Sequence, residues 1–453
     1  MAAAMPGDQR LTLVIGAGCS IEHPTGMPSG GDLAEQAHQK LTLTRVIQAV
    51  ANPRDLSKVA DAVKAANHGL QAALIDVLPI DEMRIAKPNS GYLIAAAMQI
   101  DRVVGSTVSL NYDQAGINAF SVLGAGGIKV VHGIADVGSI RPQNFVFLHG
   151  SAALPGEDWV IGTDALDGEW ISTWREVVAQ LVLTTPVVVF AGLGSPAALL
   201  TSTVSKIRAA LPGQTASYLI EPAPGRSDFA DALALQDGHQ LTCGWCEFMD
   251  SCAEVLLGAH LQNVNNTLPV VRLQAGTVAN ADVESVFDSV RQMGLVGYGR
   301  LRASWQDASR GQEYPRHPVP GEPGLISIAD LFQFIAELET WSGESVTVED
   351  SGIVNVPTAT GTKRVVLYSS PAATDFEEAR TRALLRHSSL ATSASGVIVV
   401  VAHSNPPRAV SPPADILREE DESSPDVLRG PDPTTVLFLP YVRDSVTLQE
   451  KVA

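Results

Sequence analysis

The sequence predicts an α/β fold: a doubly wound parallel sheet with a small helical insert, followed by a C-terminal α/β domain. Three observations predict it. Short β-branched runs recur between stretches of helical spacing. Six of the ten runs lie before residue 260, and five of those six end in or are followed by glycine, histidine or an acid. At 453 residues, the chain is too long for one ordinary core.

The first run is LTLVI at 11–15, apolar throughout, as suits a strand buried on both faces. Residues 31–75 are rich in Ala, Leu, Gln and Lys, with apolar residues at helical spacing: Leu33, Ala34, Ala37 and Leu41, then Val59, Ala62, Val63 and Ala66. They make the helical insert. A buried helix fits 90–99. Strands fit 103–110, 128–132, 144–148, 186–191 and 216–220, and helices fit 169–183, 196–210 and 227–235. At 261–269 the stretch LQNVNNTLP is polar and helix-poor, which sets a boundary between domains at 1–262 and 263–453. Beyond it, helices are expected at 280–293, 326–340 and 374–386. Strands are expected at 345–349, 363–369, 396–402 and 434–442, with loops at 304–324 and 403–433. The second loop is dense in Pro, Asp, Glu and Ser and is expected to have little fixed structure.

Composition narrows the function. The chain is 45% hydrophobic and 18% charged, with a net charge of −18. Such an acidic chain is ill suited to holding nucleic acid over a broad surface, because phosphates are neutralised by Lys and Arg. No apolar run approaches the roughly 20 residues of a membrane helix, and the first ten residues lack the pattern of a secretory leader. Four cysteines make no disulfide framework, which points to a reducing cytoplasm.

Ligands of an open parallel sheet bind at the carboxyl ends of its strands. Here those ends carry a consistent set. After 11–15 come Gly16, Ala17, Gly18 and Ser20, with Pro28 further along the loop. The glycines, lacking Cβ, would let backbone N–H groups approach a pyrophosphate, and Ser20 could add a hydroxyl donor. VSLNYDQ puts Asn111 and Asp113 at the second tip. FVFLHGS puts His149 at another, VVVFAGLGSP puts Gly192, Gly194 and Ser195 at a helix start, and SYLIEP ends on Glu221. An acid at a strand end is the usual partner of ribose hydroxyls. Together the set suggests a dinucleotide site. Each member also has a plain alternative: a capping histidine, turn-forming Asn and Asp, an ordinary helix start, a solvated loop acid. His132, in a second His-Gly, reads as structural.

In this order, the motifs resemble the sirtuin family over roughly residues 8–260. Its Gly-Ala-Gly-x-Ser and Gly-x-Pro correspond to Gly16–Ser20 and Gly26–Pro28. Its Pro-Asn helix start corresponds to Pro88 and Asn89, with Tyr92 where histidine is usual. Its Asn-x-Asp, catalytic His-Gly and glycine-serine helix start correspond to NYD, LHGS and GLGS. The departures are informative. The zinc ribbon of the deacylases needs two Cys-x-x-Cys pairs. Here only Cys243 and Cys246 form one, with Cys252 nearby and Cys19 far away, so no metal is expected. The Asp-Phe-Arg after Gly-x-Pro is replaced by Ser29, Gly30 and Gly31. NYD is similar to the bacterial sirtuin-like branch of anti-phage (abortive-infection) systems, which resembles NAD hydrolases.

The resemblance implies that NAD is a substrate, split to nicotinamide and ADP-ribose by a toxic effector. Gly16–Gly18, Gly194 and Ser195 would hold the pyrophosphate and Glu221 the adenine ribose. Asn111 would hold the nicotinamide ribose or the attacking water. His149 would be the general base, and Asp113 would orient its loop. It also implies a homo-oligomer or a co-encoded defence partner, with the C-terminal domain for oligomerisation, sensing or partner binding. The alternative is a non-catalytic sensor of NAD or ADP-ribose, or a scaffold, on the same fold.

Overall fold

A computed structural model describes residues 11–125, 128–138, 143–162, 185–194, 204–209, 211, 215–275, 281–305, 317–318, 320–349, 352–359, 361–369, 397–402, 428–429, 435–439 and 443. The chain divides into two compact units, Met1–Cys252 and Ala253–Ala453. Among the described residues, no helix is long and apolar enough to cross a membrane.

The first unit is built on seven parallel strands: β1 (Leu11–Ile15), β2 (Val104–Ser109), β3 (Lys129–Val131), β4 (Asn144–Phe147), β5 (Val187–Ala191), β6 (Ala216–Ile220) and β7 (Gln240–Leu241). Their order is β3-β4-β2-β1-β5-β6-β7, a doubly wound, Rossmann-like sheet. The expected strands are present within a residue or two, because burial on both faces makes each an apolar run. All five residues of β1 are buried. Val14, Val108, Val146, Val188, Phe190 and Leu219 pack with Val204, Ile207, Phe229 and Leu233 into one cluster.

Register decides what happens at the sheet's edge. Ile15 pairs with Ser109 on one side and with Ala191 on the other. Ser109 pairs with Phe147, and Ala191 with Ile220. The residues that follow, Gly16, Leu110, Leu148, Gly192 and Glu221, therefore leave the sheet level with one another.

The insert is helical, as the spacing predicts: α1 (Gly30–Leu43), α2 (Leu56–Ala66), α3 (Ala72–Ile75) and α4 (Ile80–Arg84). Ser29 caps α1, its Oγ accepting from Asp32 N–H at 3.1 Å. Leu33, Ala37 and Leu41 meet Val59, Val63, Leu74 and Met83 in a second core closed by Trp159 and Ile161. Burying each such leucine contributes about 1.5–3 kcal/mol. Then α5 (Ser90–Ile100) starts at Asn89, whose Oδ1 caps Tyr92 N–H and whose Nδ2 donates to the Cys19 carbonyl at 2.8 Å. After it come α6 (Ala115–Val122), α7 (Ile134–Val137) and α8 (Asp228–Ala232). The helix expected at 169–183 lies outside the described residues, and of 196–210 the helical residues 204–209 are described.

The largest departure follows β7. The stretch read as helix-poor is inside α9, which runs Trp245–Ala275. Leu261, Val264, Leu268 and Val271 are buried at helical spacing. The asparagines mask that stripe in the sequence, and Pro269 sits within the helix. At the start of α9, Glu22 Oε1 accepts the N–H groups of Trp245 and Cys246 at 2.8 and 3.2 Å.

The second unit contains α10 (Glu284–Trp305), broken at Gly294, and α11 (Pro323–Ser342), so both helices outrun their expected ends into the 304–324 stretch. Its mixed sheet has the order β12-β13-β11-β10-β9-β8: β8 (Thr347–Val348), β9 (Ile353–Thr358), β10 (Gly361–Ser369), β11 (Val397–Ala402), β12 (Leu428–Arg429) and β13 (Thr435–Phe438). β10 and β11 are parallel, which requires a crossover. The helix expected at 374–386 lies outside the described residues. β12 falls in the stretch expected to be a loop, 403–433. Partly buried ion pairs join Arg443 to Glu337 at 2.8 Å and to Asp330 at 2.7 Å.

The tip of β1 is a steric constraint that can be tested. A Cβ on Gly16 would lie 2.5 Å from the Gly192 carbonyl oxygen, and one on Gly18 would lie 2.7 Å from Gly192 Cα. Both obstacles are backbone. Gly16→Ala and Gly18→Ala should each destabilise the protein by about 1–3 kcal/mol. Gly30→Ala, with nothing within 4 Å, should be near neutral. Denaturant unfolding of the three variants checks this, and equal stability of all three would contradict it.

Candidate functional site

The level strand ends open into a cavity of about 450 Å³. Its lining brings together Gly16, Ala17, Gly18, Ser20, Pro28, Asn111, Asp113, His149 and Gly194, all named from the sequence. Two other named residues lie apart from it. Gly192 packs under the β1 tip, and Glu221 follows β6, half-buried, its Oε1 3.4 Å from Ala223 N–H. Ser195 lies outside the described residues. The insert supplies a wall that spacing did not point to: Asn52, Arg54, Asp55, Leu56, Ser57 and Met83.

The glycine tip does something other than expected. Gly16 N–H donates to the Ala191 carbonyl at 2.9 Å, Gly18 N–H to Gly192 at 2.7 Å, and Cys19 N–H to Gly16 at 3.0 Å. These amides are committed to the fold. Glycine is needed because two backbones touch. Ala17 opens the short 3-10 turn Ala17–Ser20, where an N–H has no acceptor within the turn.

Under the tip lies a buried polar chain. Ser20 Oγ donates to Asp113 Oδ2 at 2.8 Å. Its single proton is then spent, so Tyr92 must donate in the 2.7 Å bond between their hydroxyls. Asn111 Nδ2 donates to the Gly16 carbonyl at 3.0 Å and lies 3.3 Å from both Ser20 Oγ and Tyr92 Oη. That carbonyl fixes the amide's orientation, since the reverse would oppose two acceptors. Asn111 Oδ1 is left buried without a hydrogen-bond partner. The Asn111 residue itself is part of the cavity lining.

Burial pushes the Asp113 carboxyl up from its ordinary range, against the pull of its bonds from Ser20 and from Ala115 N–H. Burial, then the nearby Asp113, pushes the Tyr92 hydroxyl up, so it stays a neutral donor. Tyr112, the unusual member of NYD, has a packing role. Its ring stacks on Trp159 at 4.5 Å, and its hydroxyl donates to the Val160 carbonyl at 3.1 Å.

His149 is buried, and its carbonyl accepts from Val160 N–H at 2.8 Å. Gly150 follows at φ 104° with Trp159 Cα 3.0 Å from where its Cβ would be, so the glycine of His-Gly is required by backbone shape. His132 is outside the cavity lining. Its ring stacks on Phe147 at 5.1 Å, and burial lowers its pKa. Cys243, Cys246 and Cys252 are free thiols, and among the described residues no cluster of His, Cys, Asp and Glu could hold a metal.

No protein-family model matches the chain, and no curated protein does. Solved structures similar to it include sirtuins. A Sir2 homologue mutant in complex with ADP-ribose is 16% identical, with a TM-score of 0.32 over 57% of this chain and 95% of that one. Another, in complex with 2′-O-acetyl ADP-ribose, is 16% identical with a TM-score of 0.31 over 57% and 95%. A Sir2 bound to an acetylated peptide is 13% identical with a TM-score of 0.28 over 54% and 92%.

Asp113 carries a pH signature. Its folded-state pKa is raised above the ordinary 3.8, so its contribution to stability is complete below that value and is lost as pH rises through the raised one. Relative to Asp113→Asn, the wild-type Tm should fall as pH is raised from about 4 to 8. A difference that does not vary with pH would overturn this.

Proposed function

We propose that the cavity binds NAD and that the first unit hydrolyses it to nicotinamide and ADP-ribose. One observation carries the reading. The level strand ends bring a glycine tip, an asparagine with an unmet buried acceptor, and a histidine onto one cavity of about 450 Å³.

In NAD the nicotinamide ring carries a positive charge, and it departs as neutral nicotinamide. As the bond from ribose C1′ to its ring nitrogen breaks, the electron pair goes to the ring and positive character develops at C1′. Water attacks C1′ and must lose a proton. In this reading His149 receives that proton. Asn111 Oδ1 accepts from a ribose hydroxyl and orients the sugar. Asp113 holds Ser20 and the start of α6, which keeps the Asn111 amide aimed. Apolar Met27, Leu33, Met83 and Leu193 line the same space and help to exclude bulk water.

The resemblance in motif order extends the proposal. The chain would be the NAD-consuming effector of an anti-phage system in the cytoplasm, restrained until a partner or self-assembly activates it. Residues 1–262 would carry the chemistry, and 263–453 would serve oligomerisation, sensing or partner binding.

The test is chromatography of nicotinamide and ADP-ribose after incubation of the full chain with NAD. Release is expected, reduced about 100-fold or more in His149→Ala and lost in Asn111→Ala. Full turnover in both folded variants would refute the assignment. NAD bound yet uncleaved would favour the sensor.

A further inference from the structure

Arg54 is the one Lys or Arg on the cavity lining among the described residues. It belongs to the insert, just before α2. Its guanidinium is held by two carboxylates of α1: Nη2 lies 2.7 Å from Asp32 Oδ1, and Nη1 lies 2.8 Å from Glu35 Oε2. It also lies against bare backbone, since a Cβ on Gly31, itself part of the lining, would come within 3.3 Å of Nε and Nη2.

Two facts make this cation consequential. The Gly16, Gly18 and Cys19 amides are bonded within the fold, so the glycine tip has few donors for an anion. The chain also carries a net charge of −18, and Asp55 and Asp113 share the lining. A doubly charged pyrophosphate entering there needs a counter-charge, and a guanidinium fork matches phosphate oxygens in pairs. The resting ion pairs are exposed, with side-chain exposures of 57% for Arg54, 50% for Asp32 and 39% for Glu35. Pairs of that kind are held weakly and exchange readily.

We propose that Arg54 is the phosphate-binding residue of the cavity, and that Asp32 and Glu35 are resting partners which a pyrophosphate displaces. That the pyrophosphate is part of a dinucleotide rests on the NAD reading above. The insert then selects phosphorylated ligands over bare nucleosides, and the two acids set how tightly they bind.

The competition gives the proposal a signature that a structural strut lacks. Removing Arg54 should weaken binding, whereas neutralising its two acids should strengthen it. The experiment is titration calorimetry on the full chain with inorganic pyrophosphate and with ADP-ribose. Wild type, Arg54→Ala, Arg54→Lys and the double variant Asp32→Asn/Glu35→Gln are compared, each first shown to unfold cooperatively. Expected is a loss of about tenfold or more for both probes in Arg54→Ala, partial retention in Arg54→Lys, and tighter binding of both in the double variant. ADP-ribose affinity unmoved by Arg54→Ala, or weakened by the double variant, overturns the proposal and leaves the NAD reading standing. Arg54-dependent pyrophosphate binding without ADP-ribose binding does the reverse. Binding of neither probe sinks both.

Discussion

The site depends on one contact, the tip of β1 lying backbone to backbone on the tip of β5. Gly16 and Gly18 donate to Ala191 and Gly192, and no side chain fits between them. The chain then turns through Ala17–Ser20, which drops the Ser20 hydroxyl into the space between Tyr92 and Asp113. The Gly16 carbonyl, fixed by the same contact, orients Asn111. A displacement of the tip would unsettle the amide whose acceptor faces no partner. The loop beyond is held too, through Asn89 on the Cys19 carbonyl and Glu22 on the first amides of α9.

The polar chain from Asp113 to Asn111 is costly to bury and is almost fully satisfied. A half-satisfied network in a low-dielectric interior is worse than an apolar one. Here each proton has an assigned acceptor, and one acceptor, Asn111 Oδ1, is left over. An unmet buried acceptor sacrifices stability, and such losses concentrate where a ligand is bound. Tyr92 completes the network at the position where the sirtuin pattern has histidine. Its phenol, held neutral, donates to Ser20 and receives from Asn111.

Much of this was legible in the sequence. LTLVI and VVVFA read as strands because burial on both faces leaves no polar alternation, and strand-end logic then gathered Gly16, Asn111 and His149. That logic fixes height along the strands and says nothing of lateral distance. Glu221 is level with the others but follows β6, beyond β5, and is off the lining, whereas His149, after β4 and equally two strands from β1 on the other side, is on it. Arg54 was invisible because a charged residue in an insert loop has no periodicity to betray it. The glycines were legible as special, yet a missing Cβ serves close packing as well as it serves a ligand, and only the Gly192 contact separates the two. In α9, asparagines and Pro269 hid a buried stripe that register alone reveals.

The most direct measurement is an experimental structure of the full chain with ADP-ribose. The account predicts the ligand in the cavity, with a ribose hydroxyl in hydrogen-bond range of Asn111 Oδ1 and its phosphates against the Arg54 guanidinium. ADP-ribose bound elsewhere, or bound with Asn111 Oδ1 still unpaired, would contradict it.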